Sequence, residues 1–173
     1  MIVYYVLVIA TCLERVAELA VTKRNAAWSF ARGGVETGRG HYPAMVVLHT
    51  GLLAGCLAEP PLAHRSFVPA LGVPMLILAG ASQGLRWWCI RTLGPRWNTR
   101  VIVVPGLALV DGGPYRWFRH PNYVAVVVEG FALPLAGSAW ITAAVFTVLN
   151  AALLTVRLRC EVRALAPARA VSG

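Results

Sequence analysis

The sequence predicts an all-α integral membrane protein with about five transmembrane helices, the last two forming a C-terminal helical hairpin. Of its 173 residues, 58% are hydrophobic and only 13% are charged, and the mean hydropathy is +0.64. A soluble domain has about 25% charged residues. The apolar residues also fall in long runs, as membrane spans require. The length fits one domain covering residues 1–173.

Five apolar segments account for the predicted spans. The last two form one apolar stretch that is interrupted by Pro134 and by Gly137-Ser138, which predicts the tight turn of a hairpin. The fourth segment is short for a complete span of about 20 residues. The segments cover residues 1–22, 42–58, 66–90, 121–135 and 138–156.

Basic residues predict the orientation in the membrane. They concentrate in the loops 23–40 and 91–120 and in the tail, which carries Arg157, Arg159, Arg163 and Arg169. Five spans put these three regions on one side, which the positive-inside rule assigns to the cytoplasm, with the N-terminus outside. A bacterial inner membrane is the expected location. The positive-inside rule also accounts for the net charge of +9, so we expect no nucleic acid as a partner. Five tryptophans near the same face are expected to be interfacial anchors: Trp28, Trp87, Trp88, Trp97 and Trp117.

Cysteine spacing and the N-terminus exclude some classes of protein. Cys12, Cys56, Cys89 and Cys160 are far apart, without a C-x-x-C pair, so neither a zinc site nor a disulfide framework is predicted, and we expect no metal. The first apolar run contains charged residues and lacks a cleavage site, which indicates a retained helix rather than a signal peptide.

Ionisable residues within the apolar segments are candidates for function. By helix rise, Glu14, Glu18, His49 and Glu129 fall in the cytoplasmic half of the bilayer, where such residues are costly. Alternatives stay open, because Arg15 can pair with Glu18 as structural support and a single histidine on an apolar face can simply pack. Glu129 has no partner within its own segment, and it is a candidate to line a cavity.

A polar, aromatic loop carries the strongest functional signal. It reads G-P-Y-R-W-F-R-H-P-N-Y over residues 113–123. Pro121 is expected to begin helix four, with His120 held outside the helix, and the free N–H groups there favour an anion. Arg157 and Glu161 follow four residues apart at the end of the fifth segment. Together, this loop and the Arg157/Glu161 pair suggest an active site at a membrane surface. An interfacial loop that is anchored by basic residues would share some of these features.

These residues resemble the isoprenylcysteine carboxyl methyltransferase family of membrane enzymes. The resemblance lies in residues 110–123 and 157–161, within a motif-bearing part that covers residues 100–163. The N-terminal half is similar to a bacterial subgroup through Glu14-Arg15-x-x-Glu18-Leu19, Lys23-Arg24-Asn25 and Gly38-x-Gly40-His41-Tyr42-Pro43. Some members of that subgroup are associated with type III polyketide synthases and O-methylate alkylpyrone or alkylresorcinol products.

The resemblance implies a cytoplasmic pocket for S-adenosyl-L-methionine above the helical hairpin. Arg157 would face the methyl acceptor, and we add Glu129 as a second catalytic candidate. One departure from the eukaryotic enzymes is that Cys160-Glu161 stands where they have a run of acids, which disfavours a prenylated protein as substrate. The cofactor-binding residues implied by the family pattern are Leu107, Ala108, Leu109, Val110, Tyr115, His120, Pro121, Asn122, Tyr123 and Glu161.

The chemistry is consistent with O-methylation of a lipophilic small molecule. A sulfonium methyl group needs a positioned nucleophile more than acid–base machinery. A carboxylate or an acidic enol is already ionised near neutral pH, and Arg157 can orient it. For a less acidic hydroxyl, His120 is a candidate base. The expected partners are the lipophilic acceptor and membrane lipids, and the resemblance implies a functional link to a type III polyketide synthase. The alternatives are an NADPH-dependent membrane reductase and a non-catalytic membrane partner protein.

Overall fold

Five long helices and a short two-stranded ribbon make up the computed structural model, which describes residues 1–171, with side chains up to residue 166. The helices are α1 (Ile2–Phe30), α2 (Tyr42–Leu62), α3 (Pro69–Leu93), α4 (Pro121–Ala136) and α5 (Trp140–Val171). The predicted helical fold is therefore confirmed, one helix for each apolar segment. The side chain of Arg169, one of the four tail arginines, lies outside the described part.

Two of the described helices are long and apolar enough to cross a membrane. They occupy Arg39–Leu62, with mean hydropathy 1.3, and Trp140–Ala166, with mean hydropathy 1.8. Helix α4 is apolar but shorter. Helix α1 carries Glu14, Arg15 and Glu18 along its length. Length and composition thus agree with a membrane protein, while the number of crossings remains a prediction.

Helices α1 and α5 extend well beyond the apolar segments that predicted them. Helix α1 continues to Phe30, so Lys23 and Arg24 are helical and not part of a loop. Helix α5 continues beyond residue 156, so Arg157 and Glu161 lie within it and not at its end. Hydrophobicity marks the end of an apolar run, whereas Arg, Glu and Ala all favour continuation of the helix itself.

The predicted hairpin between the last two helices is confirmed. The Pro134 carbonyl accepts hydrogen bonds from the N–H groups of Gly137 (3.1 Å) and Ala139 (2.9 Å), and Ser138 has φ 60°. The Glu59 carboxylate of α2 accepts from the N–H groups of Ile141 (3.0 Å) and Thr142 (2.7 Å) and so caps α5. These bonds fix the angle at which α5 returns past α4.

A short antiparallel ribbon joins two loops that the sequence leaves separate. Strand β1 (Val35–Thr37) pairs with β2 (Val101–Val103), with Glu36 opposite Ile102. A purely all-α prediction is wrong in this detail, because three-residue strands are too short to show an alternating pattern. The ribbon ties the loop after α1 to the long loop before α4.

The apolar core lies at the opposite end of the bundle from the ribbon. Tyr4, Leu52, Leu133 and Phe146 bring α1, α2, α4 and α5 together there. The prediction that Trp97 is an interfacial anchor is wrong, because its side chain is only 2% exposed. Asn25 of α1 donates to the carbonyl of Trp97 at 2.8 Å, and this bond holds the loop residue inward.

Candidate active site

A cavity of about 490 Å³ lies between the long loop, the start of α4 and α5. Its walls include nine of the ten predicted cofactor-binding residues as well as Arg157. Pro121 is the exception: it is buried at the start of α4 and is not part of the lining. The nine are Leu107, Ala108, Leu109, Val110, Tyr115, His120, Asn122, Tyr123 and Glu161.

The start of α4 has the predicted geometry. Pro121 is the first helical residue, and His120 before it has φ −138° and ψ 61°, outside the helical region. Proline disfavours the helical conformation of its predecessor and suits the first turn itself. His120 is thereby turned toward α5, where its Nδ1 lies 3.4 Å from Glu161 Oε1.

The turn before α4 positions Tyr115 in the lining of the cavity. Gly113 has φ 56°, and a Cβ there would collide with Thr92, so the turn needs glycine. Burial is the main cause of a raised pKa of the Tyr115 phenol, and the neighbouring Cys89 adds to it. Tyr115 therefore stays protonated at neutral pH and is available as a hydrogen-bond donor.

Tyr123 joins the predicted acceptor side to the predicted cofactor side. Its hydroxyl donates to Glu161 and accepts from Arg157 Nε at 3.0 Å. His120 stacks on the Tyr123 ring with 5.6 Å between centroids. Arg157 and Glu161 lie on one face of α5 because they are four residues apart. The predicted site residues of α4 and α5 therefore form one continuous network.

A second cavity of about 170 Å³ lies beyond Arg157, between α1, α2, α4 and α5. Arg157 is 7% exposed, and its Nη1 lies 2.6 Å from the Met45 sulfur of α2. Its aliphatic lining residues are Leu19, Val46, Leu53, Val126, Leu153 and Leu154. The residues that line both cavities are Trp97, Asn98, Asn122, Tyr123 and Arg157.

Five ionisable residues form a buried charge cluster beside the second cavity: Glu14, Arg15, Glu18, Arg86 and Glu129. Arg15 pairs with Glu18 at 2.7 Å, as predicted. Glu129 pairs with Arg86 of α3 at 2.6 Å and lies 3.7 Å from Arg15. Arg15, Glu18 and Arg86 line the second cavity, whereas Glu129 is in neither lining.

Two residues of the site were missed by sequence reasoning. Arg86 is a single charge inside the third apolar segment, and that position was the available signal for a partner of Glu129. Asn98 lies where the two cavities meet, and both its amide nitrogen and its amide oxygen are buried without a partner. A single asparagine in a loop gives no sequence signal, because its role depends on the ribbon and on Trp97.

The arrangement is suited to bringing two different molecules together. The larger cavity carries side chains of both charge signs, including Asp111, Glu161 and Arg119. The smaller one is mainly apolar, and its lining also includes polar side chains such as His49 and Asn150. The two cavities meet at Arg157 and Tyr123, both of which are buried.

Comparison with known proteins identifies the family of the chain. The sequence model of the isoprenylcysteine carboxyl methyltransferase (ICMT) family matches residues 73–167, which include α4 and the network on α5. The chain is also 37% identical over 165 residues to the uncharacterized protein YpbQ of Bacillus subtilis (strain 168), covering 94% of this chain and 96% of that protein. No solved structure matches it. The two matches together show that the chain belongs to the isoprenylcysteine carboxyl methyltransferase family, a family of membrane methyltransferases.

Proposed function

We propose that this protein is an integral-membrane, S-adenosyl-L-methionine-dependent O-methyltransferase that acts on an acidic oxygen of a lipophilic small molecule. The observation that carries the proposal is the meeting of two unlike cavities at Arg157 and Tyr123. The larger cavity has charged, polar and apolar lining residues and is large enough for a nucleotide-like molecule. The smaller cavity is mainly apolar.

Three features of the larger cavity fit the cofactor. Its volume of about 490 Å³ lies within the usual range of small-molecule sites, about 300–1,000 Å³. Its lining offers both carboxylates and guanidinium groups, which suits a molecule that carries an amino group, a carboxylate and a sulfonium. Finally, buried atoms of Asn98, Asn122 and Trp97 lack hydrogen-bond partners, and such atoms usually find one in a ligand.

S-adenosyl-L-methionine supplies a methyl group activated as a sulfonium. The residues that would hold it are the nine predicted cofactor-binding residues that line the larger cavity. Pro121 would contribute by setting the start of α4. Glu161 offers an acceptor and Tyr115 a donor in the lining of this cavity. The N-terminal end of α4 favours the carboxylate of the methionine part.

Arg157 would orient the reacting oxygen of the acceptor. Its Nε is held by the Tyr123 hydroxyl, and Tyr123 is held in turn by Glu161. The remaining guanidinium N–H groups can bind an anionic oxygen by charge-assisted hydrogen bonds. Glu129 would act by holding Arg86 and Arg15 at the wall of the second cavity. An oxygen that is ionised at neutral pH needs no dedicated base.

The second cavity supports an acceptor with an apolar tail. Leu19 of α1 and Val46 of α2 line it, yet they are 52% and 41% exposed on the outside of the bundle. A tail can therefore enter sideways from the bilayer between α1 and α2. Acceptors of this kind include alkylpyrone or alkylresorcinol polyketides, which would link the enzyme to a type III polyketide synthase, and prenylcysteine-like carboxylates.

The proposed enzyme is one domain covering residues 1–173 and crosses the membrane five times. The basic loops and the tail face the cytoplasm, and the N-terminus lies outside. Both cavities lie at the end of the bundle that carries the ribbon and the loop before α4. This puts the site within reach of a cytoplasmic cofactor and of a lipid in the bilayer.

Cofactor binding is the first test of the proposal. S-adenosylhomocysteine should raise the melting temperature of the purified protein, because a ligand that binds only the folded state stabilises it. His120→Ala and Glu161→Gln should each shrink that shift. Phe118→Ala is the matched control, since Phe118 is exposed and lines neither cavity. Normal shifts in both site variants would refute the site, and protection by NADPH instead would favour a reductase.

A further inference from the structure

We propose that Asn25 and Arg96 are positioning residues that together hold the loop 104–111 in the wall of the larger cavity and so slow the release of the cofactor. The inference rests on the proposed function, because residues 107–110 of this loop are predicted to bind the cofactor and line that cavity. Asn25 belongs to the K-R-N motif of residues 23–25, to which the proposed mechanism gives no role.

The loop has little support of its own. Strand β2 ends at Val103, and the next short turn begins at Gly113. Between them, Ala108 and Leu109 are exposed. Within the part of the chain that the structure describes, residues 108–111 form no backbone–backbone hydrogen bond. Exposed segments with few hydrogen bonds open most readily, so the position of this loop depends on what holds it from outside.

Arg96 supplies a bond that holds the loop. Its Nη1 donates to the carbonyl oxygen of Ala108 at 2.6 Å, a short distance of the kind that a charged donor gives. Both residues line the larger cavity, so the bond joins two parts of the lining that are twelve positions apart in the chain. Among the described residues, Arg96 forms no ion pair with a carboxylate. Its guanidinium therefore acts on the loop and not on a neighbouring acid.

Asn25 of α1 holds the backbone from which Arg96 extends. Its Nδ2 donates to the carbonyl of Gly94 at 3.1 Å and to the carbonyl of Trp97 at 2.8 Å, on either side of Arg96. An amide nitrogen has two hydrogens, so both bonds form at once. The Trp97 N–H also donates to the Gly94 carbonyl at 3.1 Å. Asn25 is only 3% exposed, and the base of the Arg96 side chain is thereby fixed to α1.

These bonds form one chain of contacts from α1 to the cofactor loop. Asn25 fixes the turn, the turn fixes Arg96, and Arg96 holds Ala108. Ordering a flexible segment costs conformational entropy. When the loop is already held before the cofactor binds, part of this cost no longer opposes binding, and the bound molecule is released more slowly. Asn25 and Arg96 thus act through the loop and not on the reacting atoms.

The first measurement is the rate at which labelled S-adenosylhomocysteine dissociates from the purified protein. Arg96→Ala should dissociate the ligand about three- to tenfold faster, as expected for the loss of one hydrogen bond. The melting temperature of the ligand-free protein should stay close to that of the parent, because Arg96 is exposed. A purely structural role would instead lower this temperature.

The second measurement follows the loop without any ligand. Thermolysin cleaves before aliphatic residues, and it should cut ligand-free Arg96→Ala between residues 106 and 110 faster than it cuts the parent. Arg91→Ala is the matched control for both measurements. Arg91 lies in the last turn of α3, is exposed and lines neither cavity, so this variant should behave as the parent does.

A double substitution tests the link between the two residues. Asn25→Ala should also speed dissociation, and adding it to Arg96→Ala should change the rate little further, because both substitutions remove the same support. Asn25→Ser keeps one donor and serves the same comparison if Asn25→Ala does not fold. Additive effects of the two substitutions would overturn the role of Asn25.

The remaining outcomes separate this inference from the proposed function. Faster dissociation from Arg96→Ala with parental cleavage by thermolysin would mean that Arg96 binds the ligand directly, which overturns the positioning role. Parental values in both measurements overturn the inference and leave the proposed function standing. A parent protein that binds no S-adenosylhomocysteine overturns the proposed function and the effect on cofactor release, while the cleavage comparison still decides whether Arg96 holds the loop.

Discussion

At the scale of single residues, the Tyr123 hydroxyl connects the two halves of the site. It accepts from Arg157 and donates to Glu161, and both partners lie on α5. A guanidinium that is 7% exposed would be costly without such bonds. The network therefore keeps Arg157 buried and fixed in orientation, which is what a group that positions an anionic oxygen requires.

Arg157→Lys should lower methyl transfer while leaving cofactor binding nearly intact. Lysine keeps the charge but loses the planar fork that bonds Tyr123 and an acceptor oxygen at the same time. The loss of a charge-assisted hydrogen bond, about 1.5–3 kcal/mol, corresponds to about a tenfold to hundredfold lower kcat/KM. The measurements are labelled-methyl transfer and the thermal shift with S-adenosylhomocysteine.

Arg159→Lys is the matched control for this change, since Arg159 lies two residues further on α5 and is exposed. It should retain parental turnover. If Arg157→Lys is as active as Arg159→Lys, Arg157 does not orient the acceptor.

At the scale of elements, the α4–α5 hairpin carries the site and depends on close packing. Gly130 of α4 faces Phe146 of α5 so closely that a Cβ at residue 130 would overlap the ring. The neighbouring Glu129 holds Arg86 of α3. Glycine at position 130 thus allows α4 to pack closely against α5. This packing positions both the buried charge cluster around Glu129 and the hydrogen-bond network of Tyr123, Arg157 and Glu161.

Gly130→Ala should destabilise the protein, in spite of the higher helix propensity of alanine. Overpacking of this kind costs about 1–3 kcal/mol, more than the roughly 1 kcal/mol that alanine adds in a helix. The melting temperature in detergent should fall. Gly84→Ala on α3 is the control, because no atom lies within 4 Å of a Cβ there, and it should be neutral or stabilising. A Gly130→Ala variant as stable as Gly84→Ala would contradict this packing.

At the scale of the whole molecule, the uneven distribution of basic residues predicts the orientation in the membrane. A reporter that is active only in the cytoplasm should be active when fused after Gly173 and silent when fused near Arg65, the single basic residue of its loop. The two fusions differ only in the number of preceding spans. Cytoplasmic activity at Arg65 would contradict the five-span topology.

The sequence by itself determined the helices, the hairpin turn and the family. Long apolar runs, Pro121 and the break at residues 134–138 act through local backbone preferences, which is why the structure confirms them. The loop 113–123 with Arg157 and Glu161 was sufficient to recognise the family, because the loop is an unbroken motif and the Arg/Glu pair has a fixed spacing of four residues.

Only the tertiary structure decided which distant residues meet. Arg86 with Glu129, Arg157 with Met45 and Val35 with Val103 are contacts between separate elements, and neither periodicity nor spacing encodes such pairs. The same holds for the position of Asn98 between the two cavities and for the inward burial of Trp97. Local preferences fix elements one at a time, whereas a cavity exists only after several helices have packed around it.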